Sequence, residues 1–358
     1  MSELSLHESD AAALYHIPKR KTPDPNTGLD VTLYTWGRTE VIKAVQEEGV
    51  ALHISRGAGA YDMPGVVDVL SPILRDGSYT TARPLGIRAL DAYGAIRSIS
   101  GSLAHVTDVS VLTDTRVRSI ASDKLATANM LSTLDLHEGA QSVRSEAELV
   151  EALTRTYGNN IVLKPRYGSR SEGVIVTNKK NAPDQFRTRE KQDAEYVLEE
   201  KLDFTTPFPV SLRGIDEANQ RRLERANQEG ANKELRAVYF GDNQFAYIAR
   251  AAKEGEVDFR ADDWVYIDSD TIPDAILATN ERILREVEAR SGIREFHIAI
   301  DYTFATTDTD KEPKWRVMEI NAGEPQLVRE DQNRDVAREQ AGLLARQIAR
   351  VARKRTLQ

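Results

Sequence analysis

The stretch FHIAIDYTFATTDTDKEPKWRVMEINAGEPQLV, residues 296–328, decides the fold that the sequence predicts. Two apolar runs within it, at 297–304 and 315–320, are rich in β-branched and aromatic residues. A polar loop rich in Thr and Asp joins the two runs. This pattern predicts two paired β-strands.

Each apolar run carries one acid, Asp301 in the first and Glu319 in the second. Asn321 follows Glu319 by two residues, so the period of a strand places both side chains on one face. Three oxygen donors on neighbouring strands suit Mg²⁺, a hard ion that shares its carboxylate and carbonyl ligands with nucleotide phosphates. On these residues alone two interpretations stay open: a magnesium site, or acids that face water at strand ends.

The composition excludes several classes of protein. A chain of 358 residues is long enough for two or three domains, and its net charge of −8 disfavours a non-specific nucleic-acid binder. The absence of cysteine excludes disulfides, thiolate zinc sites and cysteine nucleophiles. We find no signal-peptide pattern at the start and no apolar run long enough to span a membrane, and we expect a cytoplasmic protein.

The first third of the chain predicts a parallel, Rossmann-like sheet. Residues 1–28 are polar, contain three prolines, and are expected to form a mobile or extended arm. An alternation typical of a βαβ unit follows, with a strand, a helix and a strand at 29–36, 40–48 and 50–55. The run GAGAYD at 57–62 is a weak dinucleotide-loop pattern, because Asp62 replaces its third glycine. A helix is expected at 83–93.

The rest of the chain predicts an alternation of helices and strands. Helices capped by Ser or Asp, or closed by glycine, are expected at 122–134, 146–157, 276–290 and 335–354. Short strands are expected at 161–164, 174–177 and 196–199. An exposed helical insertion is expected at 214–231, and a hairpin whose turn is Gly241-Asp242-Asn243 joins 234–240 to 244–251.

The stretch IVLKPRYGSRSEGVIV, residues 161–176, indicates a site for phosphate. An apolar strand ends at Lys164, and a small polar loop with Gly168, Ser169 and Gly173 follows. Glycine lets backbone N–H groups approach an anion closely, and a lysine adds a point charge. A Walker A motif is absent. A mobile hairpin loop is the alternative interpretation of the same residues.

Two further stretches place charge at the ends of apolar strands. YVLEEKL at 196–202 runs from a strand directly into two glutamates. KELRAVYFGDNQFAYIAR at 233–250 has Glu234 and Arg236 on one strand face and ends in Arg250. Singly, each stretch is compatible with surface charge.

Taken together and in this order, the motifs resemble the ATP-grasp superfamily, in particular its RimK-like and glutathione synthetase-like ligases. The resemblance covers about residues 86–330. The motifs that carry it, in chain order, are GIRALDAYGA (86–95), SDKLAT (122–127), IVLKP with the glycine loop, VLEEKL, the ELR hairpin, AIDY and VMEIN. The acidic segment 253–268 and the sequence AGEP after VMEIN depart from the family pattern, and both lie on the substrate side.

The resemblance implies a fold and a set of domains. It implies an α/β chain in which a Rossmann-like pre-ATP-grasp domain precedes two ATP-grasp subdomains that hold the nucleotide between them. The implied divisions are the arm, the pre-ATP-grasp domain, a central subdomain and a C-terminal subdomain, at 1–28, 29–121, 122–200 and 201–358.

The resemblance also implies roles for single residues. Lys124 and Lys164 would hold the α- and β-phosphates, beneath the loop that contains Gly168, Ser169 and Gly173. Hinge residues would hold the adenine, and Glu234 the ribose hydroxyls; the hinge residues are Glu199, Glu200 and Leu202. Asp301, Glu319 and Asn321 would hold two Mg²⁺ ions, with Mn²⁺ as a substitute. Arg236 and Arg250 would face the transferred phosphoryl group and the acyl phosphate.

The activity implied is that of an ATP-dependent carboxylate–amine ligase acting through an acyl phosphate on an amino acid or peptide. Its partners would be ATP and small-molecule or peptide substrates, without nucleic acid or membrane, and a homodimer or homotetramer fits this class. The alternatives are an ATP-grasp phosphotransferase, a nucleotide-binding module without turnover, and, from the 57–62 loop, a nicotinamide dehydrogenase.

Overall fold

The computed structural model describes scattered strands in the first third of the chain and most of the remainder. The described residues are 12–18, 20–23, 30–33, 47–48, 51–57, 87–92, 110–111 and 115–353, the last apart from gaps at 138, 157, 168–172, 190–193, 204–205, 210–216, 230–232, 252–263, 311 and 323–333.

The first six strands form a parallel sheet and a small hairpin. The strands are β1 Ala12–Pro18, β2 Arg20–Pro23, β3 Asp30–Leu33, β4 Ala51–Gly57, β5 Ile87–Ala92 and β6 Ser110–Val111. The order of the sheet is β4-β1-β5-β6, and its three strand pairs are parallel. Strands β2 and β3 pair antiparallel with each other.

Two predictions for this region are wrong. Part of the predicted arm is β1, which lies between β4 and β5. Among the described strands, β3, which lies within the predicted first strand, pairs with β2 and not with the parallel sheet. The predicted helix at 83–93 contains β5. A run as short as IRALDA carries no period that separates strand from helix, and pairing with β1 decides it. Residues 58–62 of the predicted loop and most of the predicted helix at 40–48 lie outside the described residues.

The second sheet has the order β7-β10-β8-β9 and is antiparallel. Its strands and helices are β7 Gln141–Val143, α3 Glu146–Arg155, β8 Asn160–Pro165, β9 Ile175–Asn178, α4 Ala182–Arg187 and β10 Tyr196–Glu200, which follow α1 Thr115–Ser122 and α2 Lys124–Thr133. Ser145 caps α3 by accepting from the Glu148 N–H, as predicted. Alternation along β8 buries Ile161 and Leu163 against α3 and Phe186.

The third sheet has the order β13-β12-β11-β14-β15 and is antiparallel throughout. Its elements are α5 Glu217–Gln228, β11 Lys233–Tyr239, β12 Phe245–Ala251, β13 Trp264–Ile267, the 3₁₀ turn Ser269–Thr271, α6 Asp274–Ser291, β14 Ile298–Ala305, β15 Lys314–Ala322 and α7 Arg334–Arg353. The predicted pairing of the two strands within 296–328 is thus confirmed.

The turn between β11 and β12 confirms the predicted hairpin. Gly241, Asp242 and Asn243 all have positive φ, at 77°, 52° and 57°. The Arg350 guanidinium packs where a side chain on residue 241 would stand and would have to move aside for one, but the positive φ is what favours glycine at this position.

The main core lies between one face of the third sheet and the helices that cover this face. The period of 2 sends Leu235 and Ala237 of β11, and Ile298, Ile300 and Tyr302 of β14, into this core. Helix α6 packs there through Ile276, Ile283, Leu284 and Val287, and Gly292 ends it at φ 69° as predicted. Leu277, expected on the apolar stripe of α6, is 38% exposed. Helices α1 and α2 contact β15.

Helices α5 and α7 belong to the same part of the chain as the third sheet. The predicted exposed insertion contains α5, but Leu223 and Ala226 on it are buried, and Leu223 belongs to the main core. Helix α7, predicted from its single apolar stripe, contacts β1 and β5 of the parallel sheet. Within the described residues no helix is both long and apolar enough to cross a membrane.

A buried polar bridge ties α6 to the core face of the third sheet. The Asn280 amide donates to the Tyr247 hydroxyl at 3.1 Å and accepts from the Tyr302 hydroxyl at 2.6 Å. We expect Asn280→Ala to lower the free energy of unfolding by about 3 kcal/mol, because two buried hydroxyls lose their partner. Denaturant unfolding measures this. Thr279→Ala, on the half-buried neighbouring residue whose hydroxyl donates to the Ala275 carbonyl of the same helix, is the control and should cost less than about 1 kcal/mol.

His297 lies at the start of β14, and its burial predicts acid sensitivity. Both ring nitrogens are buried without a hydrogen-bond partner among the described residues, and burial lowers its pKa to about 4. The unfolded chain therefore binds a proton that the folded chain excludes. Stability is full above the unfolded value near 6.5 and is lost as the pH falls towards 4.

Between pH 7.5 and pH 5 we expect this residue to remove about 2 kcal/mol from the free energy of unfolding. Urea unfolding of the wild type and of His297→Leu at both pH values measures the effect as a difference, which cancels the contribution of the carboxylates. An equal pH dependence in the two proteins would show that His297 is protonated without cost.

Candidate active site

Asp301 lies within a line of charged side chains that crosses strands β12, β11, β14 and β15 of the third sheet. It is buried, with 2% of its surface exposed. Strand register places Arg236 of β11 opposite it on one side and Glu319 of β15 opposite it on the other. The ladder shifts by a residue immediately after Asp301, where β14 and β15 form an irregularity.

Arg236 forms a bidentate ion pair with Asp301 through its guanidinium group. Its Nε donates to Oδ1 at 2.7 Å, and its Nη2 donates to Oδ2 at 2.7 Å. Asn321 Nδ2 donates to Oδ2 at 2.8 Å. Such a bidentate pair is short and specific in geometry, and here both partners are buried. The predicted group of Asp301, Glu319 and Asn321 is thus together at one place on the sheet.

A second ion pair extends the row. Arg250 of β12 is opposite Glu234 of β11 in register, and their side chains are in direct contact. Glu234 Oε1 is 3.8 Å from Arg236 Nε, and Arg250 Nη2 is 3.9 Å from Asp301 Oδ2. We call the set Arg250, Glu234, Arg236, Asp301 and Glu319 the charged row. It lies on the face of the sheet opposite the main core, because the core takes the alternate residues of each strand.

The second sheet contributes a buried lysine. Lys164 near the end of β8 contacts Glu199 of β10 through Nζ and Oε2. Burial alone would favour the neutral form of both side chains. Each of them, however, provides the opposite charge that stabilises the charged form of the other. The net effect raises the pKa of Lys164 and lowers the pKa of Glu199. The predicted phosphate lysine is therefore held charged before any ligand arrives.

The charges that shift the pKa of Glu319 come from both the second and the third part of the structure, which links the two sheets in one site. Burial raises its pKa, and the nearby Asp301 acts in the same direction. Three cations oppose this rise: Lys124, Lys164 and Arg236. Two of these come from α2 and β8, so the predicted phosphate lysines lie within electrostatic range of the predicted metal carboxylates.

Helix α2 places Lys124 through the capping residue Asp123. The Asp123 carboxylate accepts from the Leu125 and Ala126 N–H groups and also from Arg166, at 2.8 and 2.6 Å. The Lys124 N–H donates to the Arg166 carbonyl at 3.2 Å. The sequence predicts Asp123 only as a cap. Its bond to the residue that opens the glycine loop carries no local sequence signal.

His137 is a neighbour of the lysine pair that the sequence does not predict. Its Nε2 is 4.0 Å from Glu199 Oε1, and its Nδ1 accepts from the Gly139 N–H at 3.0 Å. That acceptance makes Nε2 the protonated nitrogen, facing Glu199. It lies in an irregular turn, where a lone histidine gives no periodic signal.

The hinge between the second and third sheets follows β10. Glu200, predicted to contact the nucleotide, lies against Gly158, where its carboxylate fills the space that a Cβ would occupy, and within 3.5 Å of Thr309 Oγ1. Leu202 is half-buried. Asp203 then bonds through its backbone to Thr306.

A carboxylate in the loop after β14 makes a further contact beside the hinge. Asp308 Oδ2 accepts from the Asn159 and Asn160 N–H groups at 2.7 and 2.8 Å, and the Asn160 side chain donates to it as well. Asp308 thereby joins the loop after β14 to the start of β8.

Two of the predicted loop residues, Gly168 and Ser169, lie outside the described residues. Gly173, at the far end of that loop, has φ 75°. Among the described residues no three His, Cys, Asp or Glu side chains converge as a metal site. The oxygen donors available to a metal are two carboxylates and one amide.

Solved ATP-grasp ligases share this fold of two antiparallel sheets joined at a hinge. No protein-family model and no curated protein matches the chain. Solved structures do match it over nearly its whole length. D-Cycloserine synthetase DcsG is 12% identical with a TM-score of 0.59, and the match covers 95% of this chain and 99% of that one.

Two other matches are of similar quality. An ATP-grasp ligase associated with peptide natural products (RiPPs) from Chryseobacterium gregarium, solved with ADP and a leader and core peptide, is 12% identical with a TM-score of 0.56, covering 95% and 97%. The D-alanine–D-alanine ligase of Bacillus anthracis, solved with ATP, is 15% identical with a TM-score of 0.54, covering 96% and 97%. The predicted α/β fold with two antiparallel sheets is thus confirmed, and the Rossmann-like pre-ATP-grasp domain stays a prediction.

Proposed function

We propose that this protein is an ATP-dependent ligase that joins a carboxylate to an amine through an acyl phosphate. The observation that carries the proposal is the charged row facing Lys124 and Lys164 across the hinge of an ATP-grasp fold. Phosphoryl transfer needs positioning and charge neutralisation more than covalent help from the protein, and this set of side chains supplies both.

The nucleotide would lie between the second and third sheets, within the proposed subdomains 122–200 and 201–358. Lys164 and Lys124 would hold its phosphates beneath the loop of Gly168, Ser169 and Gly173. The hinge, Glu199 to Leu202, would hold the adenine through its backbone, since the Glu199 carboxylate already contacts Lys164. Glu234 would accept from the ribose while it keeps its contact with Arg250.

The parallel order β4-β1-β5-β6 supports a Rossmann-like pre-ATP-grasp domain before these subdomains. Carboxylate and amide oxygens are ligands that a hard divalent ion takes, so Asp301, Glu319 and Asn321 fit Mg²⁺ or Mn²⁺ chemically. The raised pKa of Glu319 agrees, because two facing buried carboxylates need a shared counter-ion. When bound, the metal would neutralise the charge of the nucleotide phosphates.

In the first step a substrate carboxylate oxygen attacks the γ-phosphorus, an acyl phosphate forms, and ADP leaves. In the second step the amine nitrogen attacks the acyl carbon, loses a proton, and phosphate leaves. Arg250 and Arg236 would stabilise the charge on the transferred group and on the departing phosphate, since guanidinium binds phosphate oxygens in a fork.

The substrates are proposed as amino acids or peptides. The structures that match include a ligase solved with a leader and core peptide and one named for joining two D-alanines. The RimK-like and glutathione synthetase-like branch remains the branch that the motifs resemble.

An ADP-release assay over amino acids and dipeptides, singly and in pairs, tests the reaction. We expect release that needs both an acid and an amine, with an amide as the product. Release with one substrate and a stable phosphorylated product would show a phosphotransferase instead. Absence of release with any pair would contradict this substrate class.

We expect Glu319→Gln to lower kcat by at least about 100-fold with the fold intact, because it removes a charge that positions the metal and the phosphates. Glu312→Gln, on an exposed residue just before β15, is the matched control and should retain wild-type kcat. Steady-state kinetics and thermal unfolding are the measurements. Wild-type kcat in Glu319→Gln would remove this residue from the site.

We expect Lys164→Met to weaken ATP binding by about 10-fold or more, the effect of one lost charged contact in a partly buried site. Calorimetry with a non-hydrolysable ATP analogue measures this. Lys180→Met is the control, because Lys180 is an exposed lysine close to the same sheet. Equal affinities in the two variants would show that Lys164 serves only its pair with Glu199.

A further inference from the structure

We propose that Arg236 occupies the place of a divalent cation on Asp301, so that metal reaches this carboxylate only when a nucleotide draws Arg236 away. This inference rests on the proposed function, since it takes Asp301 as a metal ligand. It assigns to Arg236 a positioning role that precedes its contact with the transferred phosphoryl group.

The donors around Asp301 fill most of its capacity to accept. A carboxylate offers about four lone-pair positions. Arg236 uses one on each oxygen, at 2.7 Å in both cases, and Asn321 uses another on Oδ2 at 2.8 Å. Arg250 Nη2 stands 3.9 Å from the same Oδ2. The one position that is left, on Oδ1, lies beside the guanidinium, so a divalent ion that bound there at about 2.0–2.6 Å would be repelled by the charge of Arg236.

The charges explain why a cation must always be present. Asp301 and Glu319 are opposite each other on adjacent strands, and two facing carboxylates repel unless a cation lies between or beside them. With only 2% of its surface exposed, Asp301 has little access to water as a substitute. Arg236 therefore neutralises the carboxylate in the empty site, and its removal leaves a buried anion that favours metal.

The displaced guanidinium needs another anion. The nearest carboxylate along the row is Glu234, whose Oε1 is 3.8 Å from Arg236 Nε, but Glu234 already contacts Arg250. The phosphates of a bound nucleotide supply a new partner, and guanidinium suits them. Metal and nucleotide binding are consequently coupled: each makes the other more favourable, because both act on the same arginine.

The test measures Mn²⁺ affinity of the whole protein by electron paramagnetic resonance, without substrates and without turnover. The proteins are the wild type, Arg236→Met and Arg236→Lys, each with and without ADP. Lys314→Met is the charge control, because it removes one positive charge from an exposed lysine at the start of β15, where its partner is Asp310. Arg236→Lys keeps the charge but loses the bidentate fork.

Without nucleotide we expect Arg236→Met to bind Mn²⁺ about 10-fold or more tightly than the wild type, the effect of freeing one buried carboxylate. Arg236→Lys should bind about 3-fold more tightly, because a lysine leaves one oxygen open. Lys314→Met should stay within about 2-fold of the wild type, because its charge is exposed and screened. ADP should tighten Mn²⁺ binding in the wild type far more than in Arg236→Met.

An Arg236→Met protein that binds Mn²⁺ no more tightly than Lys314→Met would overturn the proposal, and so would wild-type affinity that is independent of ADP. Arg236→Lys decides the question if the Met variant does not fold. No Mn²⁺ binding to any of the proteins would also overturn it, by removing Asp301 as a ligand. A failure of the ligase reaction alone appears only in the ADP-release assay, so the two outcomes are distinguishable.

Discussion

The register of β14 between β11 and β15 is the constraint on which the site depends. It sets Asp301 opposite Arg236 on one side and Glu319 on the other. A slip of one residue would turn Asp301 into the main core and bring Ile300 or Tyr302 to the polar face, so burial of the core fixes the chemistry of the opposite face. The core residues of these strands, such as Leu235, Ile300 and Ile320, pack on the side of α6. This packing therefore holds the charged side chains of the opposite face in their order.

The sequence predicts the third sheet well because local pattern and tertiary context agree there. The strands of 296–328 alternate, the turn at 241–243 contains residues that tolerate positive φ, and Gly292 ends α6 as expected. The predicted metal and phosphate residues that the structure describes lie together, since motif order along the chain follows the order of strands. Their roles remain proposals.

The failures have physical causes. The run AALYHIP of β1 is flanked by polar residues and prolines, so nothing local marks it as part of a parallel sheet. The segment IRALDA is too short for its period to separate helix from strand, and its partner is about 75 residues away along the chain. Contacts such as Asp123 with Arg166 and His137 with Glu199 join residues far apart in sequence, and only the folded chain brings them together.

Asp308 has a mechanical consequence for the cleft. Its carboxylate accepts from the N–H groups of Asn159 and Asn160, and nearby Thr306 of the same loop exchanges backbone hydrogen bonds with Asp203 at 2.9 and 3.1 Å. Sliding of the two sheets past each other along this edge would break several of these bonds at once. The edge therefore acts as a fastening that keeps the second and third sheets aligned along the direction of their strands, and with them the lysines and the carboxylates.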